Sequence, residues 1–227
     1  EIFMYSSNIG TALMGEKVGT PTLKAFYSTL GFDKPVPLGI SEHAEPLVPN
    51  PWRDISTLTV SYGHGISVTP LHLIRAFSGV VNGGALPALH IVYGEHDETR
   101  PRIIKEETSQ RMLHLLRLVV THGTGAKADV PGAMVAGKTG TSEKNINGRY
   151  VHDKLVSSFI GTFPADHPRY AVLVSVDEPV GNKESYGYAT AGWVAAPAVQ
   201  AVVKSIVALE NMPAANTSDD EAIEAEM

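Results

Sequence analysis

Two β-rich segments in the second half of the chain, residues 155–163 and 170–177, constrain the fold more than any other feature. Both are rich in the β-branched and aromatic residues that favour strands. They are joined by Pro-Ala-Asp-His-Pro at 164–168. This link is too short for a helical crossover, which takes about a dozen residues. The two segments are therefore predicted to form an antiparallel pair, with residues 134–141 as a candidate third strand.

Helical patterns occupy most of the remaining chain. Thr20-Pro21 and Thr69-Pro70 each offer an N-cap followed by a first-turn proline, with apolar residues at helical spacing beyond. The predicted helices cover residues 9–18, 20–30, 70–81, 108–121 and 195–209. Helices first, then an antiparallel sheet and a closing helix, indicate an α+β fold. We expect a domain over 1–210, with a helical region at 1–130 and the sheet plus closing helix at 131–210.

Charge is concentrated at the C-terminal end of the chain. The 227 residues include 18 Lys and Arg against 24 Asp and Glu, and five of these acids lie in the last nine positions. The rest of the chain is nearly neutral, so no basic surface indicates nucleic-acid binding. Residues 211–227 are predicted to form a disordered acidic tail.

Composition gives no sign of a cofactor or a metal. The chain has no cysteine, and its nine histidines show no metal-ligand spacing. No apolar run approaches the roughly 20 residues that cross a bilayer. We therefore expect no bound cofactor, no metal and no membrane segment within this chain.

Lys138 fits two different chemistries. Residues 132–139 match the phosphate-binding pattern G-x-x-x-x-G-K-[ST], and a β-rich segment ends in Asp177, as a magnesium-binding strand would. The intervening Ala-Met-Val-Ala, however, favours a strand rather than a loop. The turn sequence Asn-Ile-Asn-Gly at 145–148 follows where the phosphate site needs a helix. Nucleotide binding is therefore the less favoured alternative.

The favoured interpretation places Lys138 on an accessible sheet edge. Gly137 and Gly140 remove side chains beside it, so that the backbone of a ligand could add to the strand. Thr139 and Thr141 alternate with Gly140 and direct both hydroxyls to one side. With the ammonium group they would bind a carboxylate. A solvated lysine on a surface strand is the alternative.

A second motif, Ser6-Ser7-Asn8, precedes the first predicted helix. By itself an S-x-N also suits a helix cap. Its order with Lys138-Thr139-Gly140, however, resembles the penicillin-recognising serine acyltransferases, whose motifs are S-x-x-K, S-x-N and K-[ST]-G. Residues 61–73, 136–144 and 148–154 are similar to the corresponding stretches of class B penicillin-binding proteins, the division-specific type above all. The resemblance covers residues 1 to about 209 and implies the penicillin-binding-protein/β-lactamase-like fold.

The resemblance implies a D,D-transpeptidase that cross-links peptidoglycan stem peptides and binds penicillin. Ser6 would relay protons and Asn8 would hold the substrate amide. Lys138 would supply the electrostatic field that attracts the carboxylate. Thr139 and Thr141 would hydrogen-bond that carboxylate, with the backbone N–H of Thr141 in the oxyanion hole.

The same resemblance bears on Tyr186, which precedes the last helix and could form an aromatic wall of the site. Core packing is the alternative for this side chain. The implied partners are stem peptides, β-lactams as covalent inhibitors and membrane proteins of the division machinery. The implied location is the periplasmic face of the inner membrane.

The family's nucleophile lies in S-x-x-K, and no S-x-x-K occurs in these 227 residues. We therefore expect that the chain is the C-terminal part of a transpeptidase domain, without the N-terminal part of that domain or a membrane anchor. Such a chain is expected to be inactive alone. A D,D-carboxypeptidase, a β-lactam sensor and a non-catalytic interaction fragment of the division machinery remain alternatives.

Overall fold

The computed structural model describes residues 1–38, 43–92 and 100–215. These residues form two compact units, Glu1–Met112 and Leu113–Met227. The division falls inside one helix, Glu106–Thr121. Each unit is described in turn.

The first unit is helical. Its helices are α1 (Asn8–Val18), α2 (Thr20–Leu30), α3 (Asp54–Ser61) and α4 (Pro70–Val81), followed by the start of α5 (Glu106–Thr121). The predicted helices over 20–30 and 70–81 are confirmed, and Thr69 caps α4 as predicted. The predicted cap of α2 at Thr20 is wrong, because Thr20 lies inside the helix and Gly19 is the N-cap. Helices α1 and α5 begin one and two residues earlier than predicted. The short α3 was not predicted, because eight residues are too few for a clear helical period.

Close backbone approach and buried polar contacts hold the first unit together. A Cβ at Gly15 of α1 would lie 2.6 Å from the Cβ of Ser61, so glycine is needed where α1 crosses α3. Thr57 of α3 is buried and its hydroxyl lies 2.6 Å from that of Thr20. The indole N–H of Trp52 donates to the same Thr57 oxygen at 2.9 Å. These contacts pack α1, α2 and α3 into one bundle.

His72 fixes the start of α4. Its Nδ1 lies 2.7 Å from the Thr69 hydroxyl and accepts the Thr69 backbone N–H at 3.2 Å. Its Nε2 lies 2.8 Å from the carbonyl oxygen of Lys34, which can only accept a hydrogen bond. The proton is therefore on Nε2, and this buried ring ties the cap of α4 to the loop that follows α2.

The second unit contains the sheet, a 3₁₀ turn at Ala126–Ala128 and the closing helix α6 (Ala195–Leu209). The strands are β1 (Ala136–Ile146), β2 (Arg149–Phe163) and β3 (Tyr170–Asp177), in the order β1-β2-β3. Both neighbouring pairs are antiparallel. The predicted β2–β3 pair, the closing helix and the α+β class are confirmed.

The first hairpin is longer than the sequence predicted. The third strand was expected at 134–141 and a turn at 145–148, but β1 starts at Ala136 and continues to Ile146. Only Asn147 and Gly148 form the turn, with φ angles of 53° and 81°. Since Asn and Gly tolerate positive φ at both central positions of a tight turn, the ladder extends to the Ile146–Arg149 pair.

A hydrophobic core lies between the sheet and α6. The side chains of Phe159 and Phe163 are buried with Val135, Val199 and Val203. Val120 from the second half of α5 joins the same cluster. The core therefore packs β2 and the residue that precedes β1 against α5 and α6.

The C-terminal segment differs in part from the expected tail. Met212 packs against the core of the second unit, and the Ala215 N–H donates to the Gly132 oxygen at 2.8 Å. Residues 211–215 are thus folded, because an apolar side chain follows α6 within reach of that core. The remainder of the predicted tail, 216–227, lies outside the described residues.

The expected change from helices to sheet at residue 130 or 131 precedes the first strand by a few residues. The two compact units nevertheless divide at Met112 and Leu113, because the second half of α5 packs into the core of the second unit. Within the described residues, no helix is both long enough and apolar enough to cross a membrane.

Candidate ligand-binding site on strand β1

Lys138 lies on β1, an outer strand of the sheet that the described residues form. Its side chain is half-buried, and its Nζ donates to the Thr139 carbonyl oxygen at 3.0 Å. The Thr139 Oγ1 is 3.4 Å from the same nitrogen. Burial lowers the pKa of Lys138 from 10.5 to about 8. The group is therefore mostly charged at neutral pH, with a cation held partly out of water.

Thr139 and Thr141 present hydroxyls whose contacts come from outside the sheet. The Thr139 Oγ1 lies 2.7 Å from the Thr124 Oγ1, which follows the end of α5. The Thr141 Oγ1 accepts the Ala191 N–H at 3.0 Å, from the segment before α6. Thr139 and Thr141 are two residues apart on β1, so their side chains lie on the same face, as the sequence predicted. The Thr141 contact leaves its own proton available to a ligand, because a hydroxyl both donates and accepts.

The two glycines around Lys138 play different roles. A Cβ at Gly137 would lie 2.5 Å from the Ile160 oxygen and from the Phe159 ring, so Gly137 is needed for packing. A Cβ at Gly140 would meet nothing within 4 Å. Gly140 thus keeps the strand bare on an open side, where the backbone of a ligand could approach.

Ser6 and Asn8 lie in the first unit, at the start of α1. Ser7 is the N-cap, since its Oγ accepts the Gly10 N–H at 3.2 Å. Neither residue of the S-x-N pair therefore serves as the cap, and both are exposed. Ser6 has a φ of 58°, a left-handed conformation that is uncommon outside glycine. Such conformations are enriched at functional sites.

Tyr186 lies in the segment between β3 and α6 and is 78% exposed, so it does not pack in the core. Its ring meets Trp193 edge-on at 5.5 Å, and Tyr188 stacks on Trp193 at 5.8 Å. The Lys127 ammonium lies 4.2 Å from the centre of the Trp193 ring. These rings make an exposed aromatic group in the second unit.

The nucleotide-binding alternative fails on local geometry. A phosphate loop requires a helix that begins at the lysine and directs its N–H groups at the phosphate. Lys138 instead lies inside β1, and the strand that ends at Asp177 runs antiparallel to its neighbour. The residues of the phosphate-binding pattern are present, but they do not form the loop that binds phosphate.

Sequence reasoning missed Thr124 and Ala191, which hold the two threonines of β1. Thr124 stands in His-Gly-Thr-Gly at 122–125, where the glycines indicate a turn but give no reason to connect it to β1. Ala191 acts through its backbone N–H, which no side-chain pattern reveals. Among the described residues, no cluster of acids and histidines could hold a metal ion.

A family model described as the penicillin binding protein transpeptidase domain matches residues 1–203. The chain belongs to this family. The resemblance and the fold expected from the sequence are thereby confirmed.

Curated members of the family include a probable peptidoglycan D,D-transpeptidase FtsI from Caulobacter vibrioides, 44% identical over 218 residues. That match covers 91% of this chain and 37% of the relative. The peptidoglycan D,D-transpeptidase FtsI of Escherichia coli is 31% identical over 224 residues, covering 96% of this chain and 37% of the relative. The chain thus spans little more than a third of the length of these relatives.

Solved structures of family members are similar in fold. The apo transpeptidase domain of Burkholderia pseudomallei penicillin-binding protein 3 gives a TM-score of 0.82 at 32% identity, covering 93% of this chain and 64% of that one. Penicillin-binding protein 3 from Mycobacterium tuberculosis, in complex with ampicillin, gives 0.84 at 27% identity, covering 94% and 51%.

Proposed function

We propose that this chain supplies the carboxylate-binding part of a serine D,D-transpeptidase that cross-links peptidoglycan during septal cell-wall synthesis. The observation that carries the proposal is the half-buried Lys138 ammonium, held next to the Thr139 hydroxyl on an outer strand that also carries the Thr141 hydroxyl. Membership of the transpeptidase family supplies the reaction class. The relatives named as FtsI supply the septal context.

The ligand for this arrangement is the terminal carboxylate of a stem peptide ending in D-Ala-D-Ala. Lys138 provides a positive charge in a partly desolvated position, where its attraction for an anion is stronger than in water. The proton of Thr141 is available because its oxygen accepts from Ala191. The open side of Gly140 lets the peptide backbone lie along β1.

Ser6 and Asn8 have their proposed roles from the S-x-N motif. Ser6 relays a proton to the departing D-Ala amine and later from the incoming amine, and Asn8 holds the substrate amide. The exposed position of both side chains, and the cap supplied by Ser7 instead, support a role other than helix capping. The backbone N–H of Thr141 is proposed as one donor to the oxyanion of the tetrahedral intermediates.

We extend the proposal to the longer protein. Its location would be the periplasmic face of the inner membrane, and its partners the membrane proteins of the division machinery. β-Lactams would act as covalent inhibitors, in line with the ampicillin complex of the Mycobacterium tuberculosis relative. The exposed Tyr186 would then form a wall beside the bound acyl group.

The test is a titration of the ¹⁵N-labelled chain with N-acetyl-D-Ala-D-Ala and with its C-terminal carboxamide, followed by NMR. We expect shifts of the β1 amides with the carboxylate and much weaker binding of the uncharged carboxamide. Lys138→Met should lose this preference, because one charge-assisted contact contributes about 1.5–3 kcal/mol. Absence of binding, or equal affinity for both peptides, would refute the proposed site.

A matched variant on the same strand is Lys144→Met. Lys144 pairs with Asp177 and Glu178 near the far end of β1, so its loss should leave peptide binding unchanged. Equal weakening by the two variants would indicate a general charge effect and not a clamp at Lys138.

A further inference from the structure

Thr124 has no role in the proposed mechanism, yet its hydroxyl lies 2.7 Å from that of Thr139. It belongs to the short segment between the end of α5 and the 3₁₀ turn at Ala126–Ala128. The side chain is exposed on the side of β1 that carries Thr139. Any ligand held by Thr139 would therefore meet this pair of hydroxyls.

The backbone around Thr124 is fixed from two directions. On one side the Gly125 N–H donates to the Val119 oxygen at 2.9 Å, which ties the segment to α5. On the other side the segment before α6 approaches so closely that a Cβ at Gly192 would lie 2.7 Å from the Thr124 oxygen. The neighbouring Ala191 is the residue whose N–H donates to Thr141. Thr124 and Ala191 thus belong to one frame that supports both threonines of β1.

The direction of the hydrogen bond between the two hydroxyls follows from the lysine. A hydroxyl has one proton and two lone pairs, whereas an ammonium group can only donate. The Lys138 Nζ, 3.4 Å from the Thr139 Oγ1, favours a lone pair of Thr139 on its side. If Thr124 donates to the second lone pair, neither Lys138 nor Thr124 accepts the proton of Thr139. That proton is then directed at the ligand.

We propose that Thr124 is a positioning residue, which donates its proton to Thr139 and thereby directs the Thr139 proton at the terminal carboxylate of the peptide. This inference rests on the proposed function and adds a specificity determinant to it. With Thr124 in place, the Thr139 hydroxyl can only donate to the ligand, and a carboxylate oxygen accepts its proton. Without it, the Thr139 hydroxyl can rotate and also accept, so that a carboxamide N–H becomes a better partner.

The experiment compares N-acetyl-D-Ala-D-Ala with its C-terminal carboxamide, by NMR titration of the full 227-residue chain. Thr124→Val removes the hydroxyl and keeps the shape of the side chain. We expect about a five- to tenfold loss of carboxylate affinity, the size of one typical hydrogen bond, with carboxamide affinity unchanged or raised. Thr124→Ser restores the hydroxyl and should restore most of the preference for the carboxylate.

Thr121→Val is the matched control. Thr121 lies on α5, three residues earlier, and its hydroxyl donates to the Arg117 oxygen instead of to β1. Its loss should leave both affinities unchanged. If Thr124→Val fails to give a dispersed spectrum, Thr124→Ala removes the same hydroxyl without a new methyl group, and the same loss is expected.

The outcomes separate the two proposals. A wild-type chain that does not prefer the carboxylate overturns the proposed function, and this inference with it. A wild-type preference that survives in Thr124→Val and Thr124→Ala overturns the role of Thr124 alone. Failure of Thr124→Ser to restore the preference also overturns it, because a hydroxyl group at position 124 would then not be sufficient to direct the Thr139 proton.

Discussion

Lys138 combines two conditions that a side chain rarely meets together, namely a full charge and partial removal from water. A lysine on an ordinary strand would extend its ammonium group into solvent. Here the nitrogen turns back to the Thr139 carbonyl oxygen, and burial lowers its pKa to about 8. This position strengthens its attraction for an anion and brings its titration close to physiological pH.

Binding of a carboxylate peptide should therefore weaken as the pH rises through about 8. The peptide stays ionised, while at pH 9 roughly a tenth of unliganded Lys138 side chains keep the charge. NMR titrations at pH 7, 8 and 9 would measure the loss, with Lys138→Met as a variant that binds weakly at every pH. A wild-type affinity that does not change over this range would contradict the prediction.

The contribution of Lys138 to folding stability should increase with pH, whereas peptide binding should weaken. Between about 8 and 10.5 the unfolded chain holds more protons on Lys138 than the folded chain does. The contribution of this group to stability therefore rises with pH across that window. A thermal melt that shows no loss of stability at pH 9 would confirm that weaker binding there is not caused by unfolding.

At the scale of elements, β1 packs against its neighbours at its start and is accessible in its middle. Its buried beginning, with Ala136 and Gly137, is pressed against β2 and the core. Its middle, from Thr139 to Thr141, is progressively exposed and receives contacts from segments before and after the sheet. The strand therefore has a rigid base and an accessible middle, which is the arrangement that a binding strand needs.

The two glycines of β1 should respond differently to alanine. Gly137→Ala puts a methyl group within 2.5 Å of the Ile160 oxygen and should cost about 1–3 kcal/mol of unfolding free energy. Gly140→Ala adds a methyl group in open space and should leave stability within about 0.5 kcal/mol. Urea unfolding of both variants checks the difference. Equal destabilisation would contradict the prediction, because it would mean that other atoms fill the space next to Gly140.

Arg117 on α5 is hydrogen-bonded to the residue that precedes β1. Its guanidinium is buried and donates to the Asp129 carboxylate at 2.7 Å and to the Val135 oxygen at 2.8 Å. The side-chain amide of Gln200 on α6 donates to the backbone carbonyl oxygen of Asp129 at 2.7 Å. These bonds connect α5, α6 and the residue that immediately precedes β1.

Arg117→Met should destabilise the chain by about 1.5–3 kcal/mol, because it leaves the buried Val135 oxygen and the Asp129 carboxylate without this donor. Arg111→Met on the same helix removes an exposed pair with Glu107 and should cost no more than about 0.5 kcal/mol. Denaturant midpoints of the two variants provide the comparison. Similar midpoints would show that the buried network contributes little.

At the scale of the whole molecule, the chain carries two of the three motifs of its family, one in each compact unit. Ser6 and Asn8 lie in the helical unit, and Lys138 to Gly140 lie in the unit with the sheet. The third motif, S-x-x-K, does not occur in these 227 residues. Covalent catalysis requires a nucleophile with an adjacent base, and neither remaining motif contains that pair.

Labelling with a fluorescent penicillin tests this reasoning. We expect no stable covalent adduct on the 227-residue chain, whereas a family member that includes S-x-x-K should be labelled under the same conditions. Intact mass spectrometry after incubation gives the same information without a dye. Stoichiometric acylation of the chain would show that Ser6, or another serine, can act as a nucleophile.

The sequence by itself determined the elements whose signals are local. A first-turn proline marks the start of both α2 and α4, and Thr69 caps α4. The six-residue link at 164–169 makes β2 and β3 antiparallel, since no helix fits between them. The position of Lys138 on a strand and the shared face of Thr139 and Thr141 could also be predicted, because side chains two residues apart on a strand point to the same side. In these cases the physical cause lies within a few residues of its effect.

Only the tertiary structure decided how the candidate site is supported. Thr124 and Ala191 lie 15 and 50 residues from the threonines that they contact, and Ala191 contributes only a backbone N–H. The depressed pKa of Lys138 depends on burial, which has no signal in Lys-Thr-Gly. The packing of Met212 on the core likewise required the core itself. Contacts between distant segments form only when the chain folds, so a local pattern can name candidate binding residues but not the residues that hold them in place.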